Sequence, residues 1–299
     1  MTLQLRGYVD LPHHPDGGFD HGDVDRASGR VFVAHTANGT VEVLDGVSPG
    51  HIATLPGCPE ASGILCAQDE RLTFAAAHGG GTVLVVDSTS LAILRELSVG
   101  PKPNGLAWDP GRGHLLAADV EDFRARVVEA ATGRAVAAAA LLGRPRWCVY
   151  EPGRDRYLIN IRDPAVVEAL AADTLARVAT YAIPVPGPHG LDLDRAHDRA
   201  FVACDGGALV CLDLGTGATL ATIAIGGEPD AIWFDATRQR LYVAIGQPGQ
   251  IDVIDTAALA VIERVPTEEG AHTTAFDPVR QQLYVFLPRS CRATIYGCA

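Results

Sequence analysis

The sequence lacks the features that mark several large functional classes. No apolar run approaches the ~18–20 residues of a membrane-spanning helix, which argues against a membrane protein of that kind. Basic residues are in the minority, 24 Lys and Arg against 36 Asp and Glu, for a formal net charge of −12. A general nucleic-acid binder or a protein lying on anionic lipid needs the opposite balance. The short basic stretch GRPRW (Gly143–Trp147) holds one aromatic and is too small for a nucleic-acid surface. The seven cysteines (Cys58, Cys66, Cys148, Cys204, Cys211, Cys291 and Cys298) form no CxxC pair, which excludes a zinc ribbon or a thioredoxin motif. Their odd number fits reduced, buried thiols. The opening residues MTLQLRGYVDLPHHPDGG show no basic end followed by a long apolar stretch, so the expected compartment is the cytoplasm. Gly79–Gly81 leads into no GxxxxGK[ST] phosphate loop. Helical periodicity is absent except around Pro164–Ala176, where the repeat described next still calls for a strand.

What the sequence does have is a large apolar fraction and a repeat. It is 47% hydrophobic and 20% charged over 299 residues, enough to bury a sizeable core, and 32 Gly and 19 Pro imply many turns. PNGLAWDPGRGHLLAADV (Pro103–Val120) is the clearest copy of a recurring unit. It recurs in step as PHGLDLDRAHDRAFVACD (Pro188–Asp205), PDAIWFDATRQRLYVAIG (Pro229–Gly246) and GAHTTAFDPVRQQLYVFL (Gly270–Leu287). Further copies are FDHGDVDRASGRVFVAHT (Phe19–Thr36), PRWCVYEPGRDRYLINIR (Pro145–Arg162) and EASGILCAQDERLTFAAA (Glu60–Ala77). The residues that open the first strand of each copy are His21, Ser62, Asn104, Arg146, His189, Asp230 and His272, at steps of 41, 42, 42, 43, 41 and 42 residues.

Each unit reads as four short strands. The second is fully apolar or alternating (RVFVAH, RLYVAI). The third ends at an aspartate (TVEVLD, TVLVVD, QIDVID), and the fourth reads ILRELSV or VIERVP. Seven four-stranded units of this length predict an all-β, seven-bladed β-propeller over residues 1–299 as one domain. The last unit has only three strands. The spacing therefore predicts that an N-terminal strand at 2–11 completes blade 7 by pairing with Ala293–Cys298, which closes the ring and removes two sheet edges. A closed ring of this kind predicts a monomer or a weak homo-oligomer.

The units resemble the YVTN-type (YncE-like) seven-bladed propeller repeat family, on LYVAIGQPGQIDVIDTAALAVIERV and the xGLAWDP and xIWFDAT strand openings. The resemblance covers nearly the whole chain. It implies the fold. For function it implies a range: binding proteins, surface proteins, and enzymes of lyase or lactonase type.

In a propeller the first strand of each blade lines the central channel. The opening residues should therefore form a ring at one channel mouth, reading His, Ser, Asn, Arg, His, Asp, His. Ten histidines in 299 residues would place about 0.2 in seven positions by chance, and three are there. His189, Asp230, His272 and His21 come from consecutive blades once the ring closes. Three imidazoles and one carboxylate at one axis fit a divalent transition metal (zinc, iron, manganese, copper or nickel); the other readings are a polar, water-filled channel whose histidines only hydrogen-bond, and metal-free acid–base histidines. Arg146, on the opposite arc, suits an anionic substrate group. Glu60 in the loop before blade 2, and His78 in a loop at the same mouth, are candidate proton carriers. His78 begins HGGG, which resembles the esterase oxyanion motif, but no GxSxG nucleophile is present. His51, His114 and His197 fall at outer turns, and Trp108, Trp147 and Trp233 are expected to pack between blades, with Trp147 beside the pocket.

The function expected from these residues is a metal-dependent enzyme, a lyase or lactone hydrolase, acting in the channel mouth on a small anionic or carbonyl-containing metabolite. Two alternatives stand beside it: a ligand- or protein-binding propeller without chemistry, and an oxygenase with iron or copper on histidines.

Overall fold

A computed structural model describes residues 2–299. Twenty-eight strands, β1 to β28, form seven four-stranded antiparallel sheets. Blade 1 is β2 (Phe19–Asp25), β3 (Arg30–His35), β4 (Thr40–Asp45) and β5 (Gly50–Leu55). Blades 2 to 6 repeat this order, with inner strands β6 (Ala61–Ala67), β10 (Pro103–Asp109), β14 (Pro145–Glu151), β18 (Pro188–Asp194) and β22 (Glu228–Asp235). Blade 7 is β26 (Thr273–Asp277), β27 (Gln282–Leu287), β28 (Arg292–Cys298) and β1 (Leu3–Asp10). β1 runs antiparallel to β28, from Leu3 opposite Cys298 to Asp10 opposite Arg292, so the first strand in the chain closes the ring as the spacing predicts. The segment with helical periodicity contains β16 (Val166–Ala171). Tertiary packing between two sheets overrides its local pattern. Among the described residues no helix is long and apolar enough to cross a membrane.

The burial pattern explains the strand sequences. Second and third strands are covered by a neighbouring blade on each side, so RVFVAH and TVLVVD are buried along almost their whole length. The outermost strand has less cover, and VIERVP alternates. Seven apolar clusters result, one at each junction between blades; Phe32, Val43, Ile64 and Ala75 belong to the one between blades 1 and 2. Three inner strands end in the same turn chemistry. Asp109, Asp235 and Asp277 are buried, and each carboxylate accepts backbone N–H groups two and three residues on. The arginine three residues on pairs with the same carboxylate, at 2.7 Å for Arg112–Asp109 and 2.9 Å for Arg280–Asp277. This is the physical content of the DPGR, DATR and DPVR motifs.

One buried group inside blade 1 has a consequence for acid stability. Glu42 is fully buried; its carboxylate accepts from Thr40 and Thr54 and lies 2.8 Å from His51 Nε2 and 3.5 Å from His35 Nδ1. Burial raises its pKa, but His35, Thr40, Thr54 and His51 outweigh burial and hold it at about 2, against an ordinary 4.5. A depressed folded value stabilises the fold above about pH 4.5 and is lost as pH falls toward 2. Glu42→Gln should therefore cost roughly 2 kcal/mol at pH 7, and the gap from the parent should shrink between pH 4.5 and 2. Urea midpoints across that range test this. A gap that stays constant with pH would mean that the carboxylate is not the ionised partner.

Candidate functional site

The geometry of the mouth begins with glycine. Four opening residues are followed by Gly22, Gly63, Gly105 and Gly190. A β-carbon built on Gly63 would fall far inside van der Waals contact with the Asn104 carbonyl. The same holds for Gly105 against Arg146 O and for Gly190 against Asp230 O. Each is the carbonyl of the next blade's opening residue. The missing side chain lets neighbouring inner strands close up where the ring is narrowest, so the residues before those glycines converge. Side chains lock the same seam: Asn160 Nδ2 donates to His189 O at 2.9 Å and Gly190 O at 3.0 Å, and Thr273 Oγ1 donates to Phe19 O at 2.9 Å.

His189, Asp230 and His272 are brought together. His189 Nε2 lies 3.2 Å from Asp230 Oδ1, and His272 Nε2 lies 3.8 Å from Asp230 Oδ2. His189 Nδ1 lies 2.8 Å from Asp205 Oδ1, and Arg162 Nε is 2.9 Å from the other Asp205 oxygen. Trp147 Nε1 reaches across from blade 4 and donates to Asp230 Oδ1 at 3.3 Å. Burial would raise the Asp230 carboxyl. His189, His272 and His21, with the Trp147 N–H, outweigh that and hold it at about 2. Burial pushes Asp205 up as well, but its bond to His189 and the nearby Arg162 and Arg146 leave it below the ordinary value.

His21 is also in the ring, but it is turned differently. Its imidazole stacks on the Trp147 indole, with ring centroids 4.5 Å apart and planes 17° from parallel, and its Nε2 lies 3.4 Å from Asp20 Oδ1. The His21–Trp147 stack floors the mouth. Above it, two adjoining cavities of about 310 and 350 Å³ are lined by Arg146, His189, Asp230 and His272. Glu228 and Arg162 flank one cavity, and Asn104 and His21 the other. The Nε of Arg146 is buried without a hydrogen-bond partner among the described residues. Burial lowers its pKa, as do Arg144 and Arg162, while Asp230 and Asp205 oppose them.

The remaining candidates stand apart. Ser62 is buried and donates to Pro103 O at 3.2 Å. His78 Nδ1 lies 3.2 Å from the same carbonyl. Glu60 is largely exposed, 3.8 Å from Lys102 Nζ. None of these three lines the two cavities at the histidine end. Asp205 and Arg162 were not among the sequence candidates. Each follows the second strand of its blade directly, the position His78 holds in blade 2. A second ring read at that position would have found them. Trp108, Trp147 and Trp233 pack against the inter-blade clusters as expected, and all three also face the channel.

Two donors bound to one ion at about 2.0–2.1 Å in a tetrahedron sit roughly 3.3 Å apart. The His189–Asp230 separation, 3.2 Å, is close to that value, and the His272–Asp230 separation, 3.8 Å, is longer. Asp205 beside His189 Nδ1 stands where an outer carboxylate partner stands behind a histidine in metal sites generally. Among the described residues, however, no three His, Cys, Asp or Glu side chains are already gathered as a metal-binding group. The donors border the cavity without being closed on one point.

No protein-family model matches the chain, and no curated protein matches it. A solved structure of Kuenenia stuttgartiensis hydrazine synthase is similar over 95% of this chain and 96% of that chain, with a TM-score of 0.82 and 13% identity. At that identity the likeness is one of fold, and it supports the seven-bladed propeller. The YVTN-type resemblance rests on the repeat residues alone.

Proposed function

We propose that the protein is a metal-dependent enzyme of lyase or lactone-hydrolase type, acting in the channel mouth on a small carboxylate-bearing metabolite. The observation that carries this reading is the line Asp205–His189–Asp230–His272, with Arg146 lining the same cavity and its buried Nε without a hydrogen-bond partner among the described residues. His189, Asp230 and His272 would hold a divalent transition ion; when bound, it supplies a Lewis acid for a carbonyl oxygen. Asp205 keeps the proton on His189 Nδ1 and leaves Nε2 free. Arg146 fixes the anionic end of the substrate with paired N–H donors. His21, beside Asp20 and lining the same cavity as Asp230, is placed to take or give a proton at Nε2. The Trp147 indole N–H keeps Asp230 oriented.

The test is turnover of small lactones bearing a free carboxylate, followed by proton release, with zinc, manganese, iron, copper or nickel added back to metal-stripped protein. Ring opening that needs an ion, and that falls at least tenfold in Arg146→Met, supports the reading. Opening at the same rate with chelator present would overturn it. A second reading, ligand binding without turnover, is favoured by donors that border the cavity without closing on one point. It expects small carboxylates to bind Arg146 equally well with and without an ion.

A further inference from the structure

The channel has a second compartment beyond the His21–Trp147 floor, and its chemistry is different. It is a cavity of about 420 Å³. All three tryptophans of the chain line it: Trp108, Trp147 and Trp233. Trp147 and Trp233 meet nearly at right angles, 89°, with centroids 6.0 Å apart, and so form an aromatic corner. Ile64, Leu106 and Ile232 supply apolar wall.

Into this aromatic cavity project two carboxylates, Asp23 from blade 1 and Asp192 from blade 5. Backbone amides hold each rigidly. Asp23 accepts from Val24 N at 2.7 Å and from Cys66 N of the next blade at 2.8 Å. Asp192 accepts from Leu193 N and from Phe234 N of the next blade, both at 2.7 Å. The other charged groups around the cavity are Arg26, Arg195 and Asp69 near its rim, with His21 at the floor between the compartments. Arg26 and Arg195 are exposed, where solvent weakens their hold on the buried carboxylates. Burial dominates both acids and raises each from 3.8 to about 6. The backbone amides oppose this, as do Arg26 at Asp23, and Arg195 and Arg26 at Asp192; Asp192 adds to the rise at Asp23. A desolvated carboxylate in that condition is stabilised by any cation that enters.

We propose that this compartment is a second ligand site, which takes a small organic ammonium ion with an aromatic or alkyl body. The body packs in the corner of Trp147, Trp233 and Trp108. The ammonium group sits between the indole faces and the Asp23 and Asp192 carboxylates, the combination that recognises such cations elsewhere. The volume suits a ligand of this size.

The chain itself supplies the readout, because its tryptophan fluorescence comes entirely from residues lining this cavity. The probe is phenethylammonium, and the control is 2-phenylethanol, which has the same body and no charge. Phenethylammonium should give a saturable fluorescence change, with at least tenfold tighter binding than the alcohol. A bound cation favours ionised carboxylates, so affinity should be full above about pH 6 and fall as pH drops through that value. Asp192→Asn, checked for folding by circular dichroism, should weaken the amine at least tenfold and leave the alcohol unchanged. Equal binding of amine and alcohol to the unaltered protein would overturn the proposal by showing a merely apolar cavity, and no saturable change would remove the site. Neither result decides the metal reading, since His189, Asp230 and His272 do not line this cavity.

Discussion

Asp205→Asn is expected to weaken binding of the ion at the mouth about 10- to 100-fold, while His189→Ala abolishes it. One imidazole ring joins both carboxylates. His189 Nδ1 is 2.8 Å from Asp205 Oδ1, and its Nε2 is 3.2 Å from Asp230 Oδ1. Asp205 fixes which nitrogen carries the proton and which way the ring faces. Asparagine keeps an acceptor for Nδ1–H but removes the negative charge that makes Nε2 a stronger donor to an ion. It also leaves Arg162, now 2.9 Å from Asp205 Oδ2, without its carboxylate and free to repel an incoming cation. The alanine variant removes one donor outright. Competition against a chromogenic chelator measures both. The fold should tolerate both changes, because neither side chain belongs to the apolar clusters. An Asp205→Asn protein that binds the ion as tightly as the parent would show that His189 is oriented by something else.

Gly190→Ala is expected to cost about 3 kcal/mol, at the upper end for adding a methyl group to a packed interior, and to lower Tm by roughly 5 °C. Its β-carbon would meet the main-chain carbonyl of Asp230 and Ile232 side-chain carbons, and a carbonyl on a neighbouring strand cannot turn aside as a flexible side chain can. Relief requires blades 5 and 6 to separate at the mouth. The change therefore acts on function too, since it moves His189 away from Asp230. The control is Gly7→Ala in the outer strand, where an added β-carbon meets nothing within 4 Å. That variant should fall within about 0.5 kcal/mol of the parent, as surface changes do. Thermal unfolding of the two variants side by side is the check. Equal melting temperatures would mean that the inter-blade seam is looser than its geometry indicates.

The sevenfold architecture was legible because every unit must solve the same packing problem at the same spacing. Steps of 41 to 43 residues, DPGR-type turns and apolar middle strands all follow from blades covered on both sides. Closure by the first strand was legible for the same reason, since the last unit lacked a strand that only Leu3–Asp10 could supply. The opening positions were legible as a ring because the start of an inner strand faces the axis. The direction of each side chain was not. His21 occupies the ring yet turns to Asp20 and stacks on Trp147, a choice of rotamer that spacing does not encode. Asp205 and Arg162 form part of a second ring, directly after the second strands, whose polar residues differ from blade to blade and so carry no repeated signature. The tryptophans pack between blades as their size demands. That they also wall a channel cavity depends on how far each ring extends past the strand, which only the assembled ring shows.

Elemental analysis of the untagged protein, purified without chelator and reconstituted with candidate ions, tests the central claim most directly. The expected result is close to one transition ion per chain, falling to a small fraction in His272→Ala with the fold intact. No ion in the unaltered protein after reconstitution, or the same content in His272→Ala, would contradict it and leave the mouth as a pocket for small anions held by Arg146.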